Sequence, residues 1–285
     1  MSACIEEFRE YLEIERNCTE STVRTYISAI RLFCSYLEES GLHLEDATAK
    51  SVRGWFAAMS ERGNAASSRA ARLTCLKSFY RWWAREGRGE DVAAGVESPR
   101  LREPEMFFLS AVESQHLMET VRELASETLR ERDVAIVSVF LACGLRRSEL
   151  IGINLSDIDL DEGTVRVTRK GQKVQVLPLN SAVCEAIRNY LAVRPDSESE
   201  ALFLSRGTRM SRSTVWTTVK KYLEAAGFEG SPMTLRHSFA TQLMRRGVHI
   251  RVIQQLMGHE YVTTTERYTH VAPGQMREAT EALAL

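Results

Sequence analysis

Five side chains in the second half of the chain are of the types needed to break and remake a phosphodiester bond. They are Arg146 in GLRRSEL, Lys170 in RKGQK, Arg236 in MTLRHSFAT, His259 in LMGH and Tyr268 in TTTERYTH. Without a metal ion, that reaction needs a side-chain nucleophile that keeps the phosphate as an ester, cations against the non-bridging oxygens, and an acid for the departing oxygen. A tyrosine hydroxyl can supply the first, guanidiniums the second, and a lysine the third. Arginine offers two parallel N–H donors, which suits two phosphate oxygens gaining charge in a pentacoordinate transition state. Taken singly, an arginine beside a helix start is ordinarily a surface residue and a tyrosine in a C-terminal helix is ordinarily packing. The order and spacing of the set carry the reading.

Positioning these groups falls to helices and one hairpin. Gly144 and Leu145 form a turn into a short helix that begins at Arg146, and Glu149 in it is either a carboxylate that orients Arg146 or a helix-surface residue. The segments TVRVTR (164–169) and VQVLPL (174–179) are rich in β-branched residues and flank Lys170, Gly171, Gln172 and Lys173. That pattern predicts a β-hairpin carrying Lys170 at its tip, with Lys173 as the nearby alternative. Helical spacing recurs over 110–123, 129–143, 181–192, 211–226, 235–246, 250–257 and 274–284, which puts Arg236 at a helix start. His237 then points about 100° away from Arg236, and neither it nor His249 or His270 is read as catalytic.

The N-terminal third reads as helices only, over 2–16, 20–39, 49–62 and 66–86, with stops at Gly41, Gly63 and Gly87 and Thr19 as N-cap of the second. Between Gly95 and Phe108, the stretch GVESPRLREPEMFF breaks the periodicity with two prolines and mixed charge. The expected organisation is a helical domain over 1–95, a linker over 96–108 and a second domain over 109–285.

A formal net charge of −1 and a pI near 6.6 argue, by themselves, against a nucleic-acid partner. Locally the balance differs. From Arg62 to Arg88 there are seven basic residues against one acidic, Glu86, and the fourth helix presents Arg69, Arg72, Lys77, Arg81 and Arg85. By itself such a helix is a solvated charged face. The six cysteines are scattered without a C-x-x-C pair and read as buried, reduced thiols, and no two of the six histidines stand three or four residues apart as helical metal ligands do. The opening residues lack a signal-peptide pattern and no apolar run approaches the ~20 residues of a membrane span, so a cytoplasmic protein is expected.

Together the boxes resemble the tyrosine recombinase family, in its Xer-like branch. GLRRSEL is similar to its first-arginine box, RKGQK to its hairpin lysine, LRHSFAT with LMGH to its second-arginine and histidine boxes, and TTTERYTH to its nucleophile box. The helical N-terminal third and PRLREPEMFFLS resemble its core-binding domain and linker, so the likeness covers nearly the whole chain. It implies a mainly α protein with a small antiparallel sheet, built as a helical SAM-like domain plus a mixed catalytic domain. It further implies cleavage and rejoining of double-stranded DNA by a tetramer on two sites, of one chain or with a second recombinase, without metal, cofactor or membrane. Tyr268 would form the 3′-phosphotyrosyl link, Arg146 and Arg236 would hold the phosphate, Lys170 would protonate the leaving oxygen, and His259 would donate a hydrogen bond to the phosphate. The basic fourth helix becomes a DNA contact, and the last helix would dock on a neighbouring protomer. One position departs from the pattern: Met233 stands where the family has a histidine, three residues before Arg236, and a thioether cannot exchange a proton at neutral pH. A type IB topoisomerase and a cleavage-deficient DNA-binding descendant are the alternatives.

Overall fold

The computed structural model describes residues 2–101 and 107–258. His259, Tyr268 and the helix expected over 274–284 lie outside them. The chain divides into two compact units, Met1–Pro104 and Glu105–Leu285.

In the first unit the four expected helices form as α1 (Ser2–Glu10), α2 (Glu20–Glu38), α3 (Ala49–Glu61) and α4 (Ala66–Arg85). A π-helical turn, Tyr11–Glu15, extends α1, and a 3-10 turn at Leu44–Asp46 follows α2. Helical spacing aligns Ile27, Ile30, Phe33 and Leu37 on α2 with Leu73, Leu76, Phe79 and Tyr80 on α4, all buried. The Phe8 ring meets Phe79 edge-on at 5.1 Å and Phe33 meets Trp55 at 5.1 Å. Tyr80 donates its hydroxyl to the Leu44 carbonyl at 3.1 Å, so the buried phenol is satisfied. Thr19 caps α2 with extended backbone, but its hydroxyl bonds the hydroxyls of Ser21 and Thr22 rather than a helix N–H. Both ends of the expected linker are packed: Val96 is buried in the first core, and the Phe107 ring meets Phe228 of its own, second unit at 6.4 Å in a tilted arrangement.

The second unit holds α5 (Ala111–Leu124), α6 (Arg130–Cys143), α7 (Arg147–Gly152), α8 (Ser181–Val193), α9 (Arg212–Ala225), α10 (Pro232–Arg245) and α11 (Ile250–Met257). Its strands are β1 (Ile158–Asp159), β2 (Thr164–Thr168), β3 (Val174–Pro178), β4 (Leu204–Ser205) and β5 (Thr208–Arg209), all in antiparallel pairs. In α6, consecutive residues Val134 to Val137 are all buried, the mark of a helix covered on every side, and α5, α8 and α10 pack on it. The charged Asp133 enters this core because Arg132 pairs with it at 2.7 Å and the Tyr222 hydroxyl donates to it at 2.7 Å. The protein is therefore mainly α with small antiparallel sheets. Among the described residues no helix is long and apolar enough to cross a membrane. All six cysteines are free, five are buried, and burial pushes the thiols of Cys34 and Cys143 up to about 12.

Two elements differ from expectation. The helix expected over 235–246 begins three residues earlier, because Ser231 accepts from the Met233 N–H at 3.2 Å and Pro232 occupies the first helical position. Arg236 consequently lies in the second turn of α10, not at its start. The β4–β5 hairpin was not expected, since two-residue strands leave no alternation to read. Its Arg206–Gly207 turn has φ of +51° and +77°, as a tight hairpin turn requires.

Candidate active site

The site grows from the end of α6. Gly144 closes that helix at φ +57°, and a Cβ there would overlap the ring of Phe239, so glycine is required by both conformation and space. The chain then turns through buried Leu145 to Arg146, the N-cap of α7.

Glu149, three residues on, is the centre of the arrangement. Its side chain is 3% exposed. One oxygen accepts from Arg146 Nη1 at 2.7 Å, and the other from the Arg146 backbone N–H at 2.6 Å and from Arg169 Nη1 at 2.6 Å. Arg236 Nη1 lies 3.6 Å from that second oxygen. The open question of its role is thus resolved in favour of an orienting carboxylate that serves three arginines. Three positive charges against one negative leave two uncompensated at one place in the fold.

The arginines differ in access. Arg236 is buried, donating to the carbonyls of Gly144 at 2.5 Å and Met257 at 2.7 Å. Arg169 is also buried, and loss of water pulls its guanidinium below the ordinary value while Glu149 works in the opposite direction. Arg146 alone of the three reaches solvent, with its side chain 36% exposed. It borders a hollow of about 270 Å³ whose lining includes Trp216, Ser231, Pro232 and Met233. Met233, 49% exposed, stands beside Arg146 with nothing in its side chain able to take or give a proton.

Lys170 sits in the β2–β3 turn, exposed, where the Arg169 N–H donates to the Lys173 carbonyl at 2.7 Å and Gly171 and Gln172 take positive φ. Lys173 is exposed as well. Sequence reasoning passed over Arg169, although the alternation of β2 gave the signal: Val165 and Val167 face inward, and Arg169 continues the same face. His249 caps α11, its Nδ1 accepting from the Arg251 N–H at 3.2 Å.

On α4 and just past its end the basic residues fall into two groups. Arg72 donates to Asn64 at 2.8 Å, Arg85 pairs with Glu15 at 3.1 Å and lies 4.6 Å over the Tyr11 ring, and Arg88 pairs with Glu7 and covers the rings of Trp82 and Trp83. Arg69, Lys77 and Arg81 have no ion pair among the described residues.

Known proteins share this architecture. Residues 108–275 match the Phage integrase family and residues 5–87 match the phage integrase N-terminal SAM-like domain. Tyrosine recombinase XerD of Bifidobacterium longum is 38% identical over 96% of this chain and 94% of its own length. Tyrosine recombinase XerC of Caldanaerobacter subterraneus subsp. tengcongensis is 35% identical over 96% of this chain and 85% of its own. Among crystal structures, XerA recombinase matches at TM-score 0.55 and 28% identity over 100% of this chain and 99% of that one. XerH bound to palindromic difH substrate, in a post-cleavage complex, matches at TM-score 0.75 over 98% of this chain and 84% of that one. At 18% identity that likeness concerns the fold alone. With both domains of one family matched in order and full-length relatives above 30% identity, the chain belongs to the phage integrase family, as a tyrosine recombinase of the Xer-like branch.

Proposed function

We propose that this recombinase cuts and rejoins double-stranded DNA at specific sites through a 3′-phosphotyrosyl link to Tyr268, without metal or cofactor. The observation that carries the proposal is the cluster around Glu149, whose two surplus positive charges suit a phosphodiester gaining negative charge. Tyr268 Oη attacks phosphorus as its proton passes to a water held by His259. The bond from phosphorus to O5′ breaks, and Lys170 gives O5′ a proton. Arg146 and Arg236 hold the non-bridging oxygens, with His259 donating a further hydrogen bond. Rejoining runs the same steps backward with the 5′-hydroxyl of the exchanged strand as nucleophile, so the bond energy is kept and no nucleotide is needed.

The domains are a helical core-binding domain over 1–95, a linker over 96–108 and a catalytic domain over 109–285. XerH is bound to difH and lambda integrase forms a tetramer on a Holliday junction. Extended to this chain, four protomers assemble on two duplexes in the cytoplasm, as one protein or with a second recombinase, since its relatives include both XerC and XerD.

Full-length protein incubated with sheared DNA of its source organism and quenched in detergent is expected to carry covalent DNA. Phosphotyrosine should map to the peptide containing Tyr268, and the attached ends should converge on one sequence. Attached ends scattered without sequence preference support a topoisomerase instead, and no attached DNA supports a binding protein.

Contacts from α4 to DNA phosphates are assigned to Arg69, Lys77 and Arg81, while Arg72 and Arg85 join them only by leaving Asn64 and Glu15. Arg81→Glu should weaken binding to any sequence and reduce the salt slope by about 1 or more, as loss of a phosphate contact does. Arg85→Glu should change the slope less, since Glu15 and Glu86 already occupy that guanidinium. Fluorescence anisotropy across a salt series decides, and equal slopes for wild type and Arg81→Glu return this helix to a solvated face.

Met233→His should raise the rate of cleavage on a nicked duplex that traps the adduct, because positioned proton transfer contributes roughly 10²- to 10⁴-fold. An unchanged or lower rate shows a site rebuilt around methionine. Adduct formed by Met233→His but not by the natural chain shows a recombinase disabled at this position.

A further inference from the structure

Arg169 ties the hairpin to two other elements of the site. Its Nη1 donates to Glu149 at 2.6 Å, its Nη2 to the Leu256 carbonyl at 2.6 Å and its Nε to Gln175 Oε1 at 3.0 Å. Gln175, on β3, passes the connection on by donating to the Gln255 carbonyl at 2.8 Å. With Arg236 on the Met257 carbonyl, three successive carbonyls at the C-terminal end of α11 are each held by a side chain of this region. The Gln255 carbonyl also accepts from the Gly258 N–H at 3.0 Å, and the negative end of the helix dipole favours cations at all three. The fit depends on Gly258, whose φ is +60° and where a Cβ would lie 2.7 Å from Arg169 Nε.

Val165, Val167 and Leu177 bury one face of the hairpin, and Arg169 is the last buried side chain before its exposed tip. Arg169 faces inward and Lys170, the next residue, faces outward. A planar, rigid guanidinium bonded in three directions fixes the plane from which the next side chain departs. A misplacement of about 1 Å at a reacting group costs around 10²-fold in rate.

We infer that Arg169 is a positioning residue for the recombination chemistry, locking the β2–β3 hairpin to α7 and to the end of α11 so that Lys170 reaches the leaving oxygen. This rests on the reading of Lys170 as the acid. The test uses the duplex recovered by adduct capture, made with either oxygen or sulfur at the 5′-bridging position of the scissile phosphate. A thiol is a far stronger acid than an alcohol, with cysteine at about 8.5, and leaves without an acid, so sulfur removes the need for a proton donor and for whatever positions it.

Lys170→Ala, Arg169→Met and Gln175→Leu are compared in single-turnover cleavage by the full-length protein, with thermal unfolding alongside. Gln175→Leu removes the hairpin's tie to Arg169 Nε and to α11 while leaving the Glu149 ion pair in place, so it guards against a folding defect in Arg169→Met. On oxygen DNA, Lys170→Ala and Arg169→Met should be slowed by roughly 10²-fold and Gln175→Leu by less. On sulfur DNA all three should come within about threefold of the natural protein, as expected where only proton donation was lost. If Lys170→Ala is restored by sulfur but Arg169→Met and Gln175→Leu are equally slow on both substrates, or not slowed at all, the inference about Arg169 is overturned and Lys170 keeps its role. If sulfur fails to restore Lys170→Ala, the reading of Lys170 as acid falls and the inference falls with it.

Discussion

Tyr268→Phe is expected to abolish covalent attachment to DNA while changing binding by no more than about 0.5 kcal/mol, the range of substitutions that remove no packing. The change deletes one oxygen and keeps the ring, so only the nucleophile is lost. No other group in the proposed mechanism forms an ester with phosphorus, and the loss should therefore be complete rather than partial. Detergent-resistant DNA on a denaturing gel measures the adduct, and a mobility shift measures binding. Adduct persisting in Tyr268→Phe would pass the role to another residue, with Tyr261 the next to change.

Glu149→Ala is expected to lower stability by about 3–5 kcal/mol, because removing one partner of a buried ion pair leaves uncompensated charge in the interior. Here the charges left behind belong to Arg169 and Arg236, with side chains 6% and 3% exposed, as well as to Arg146. For a unit of this size the unfolding midpoint should fall by about 10 °C. Sulfate should raise the midpoint of the variant more than that of the natural protein, since an anion can take the place of the carboxylate among three guanidiniums. Cleavage should fall by around 10²-fold or more once Arg146 and Arg236 lose their common anchor. A surface carboxylate at this position would instead give a change within about 0.5 kcal/mol. Differential scanning calorimetry with and without sulfate separates the two, and a midpoint unmoved by Glu149→Ala would show that the cluster does not depend on its one carboxylate.

The helices were legible from sequence because what makes them is local. Apolar residues three and four apart and a glycine after the last turn lie within one segment, and α2, α3, α4 and α11 end within one residue of expectation. The hairpin around Lys170 was legible for the same reason, its β-branched strands and Lys-Gly turn being contiguous. The start of α10 was missed by three residues because Ser231 and Pro232, which set it, precede the apolar run. Arg146, Lys170 and Arg236 were named from their boxes, and the fold brings Arg146 and Arg236 to one carboxylate.

What the sequence by itself determined is therefore the family, the mainly α class and the residue types available for phosphoryl chemistry. It left undecided whether Glu149 faced solvent, and it gave Arg169 no role, since the bonds that define both join residues far apart in the chain. Arg169 meets Glu149 across 20 positions and Leu256 across 87, and Arg236 meets Gly144 across 92. The same holds on α4, where Arg85 has Glu86 beside it in sequence but gains a second carboxylate, Glu15, from 70 residues away, and Arg81 gains none among the described residues. Periodicity reports which face of an element is apolar. Which charge meets which follows only when separate elements pack, and low-dielectric burial then makes each such meeting decisive for position.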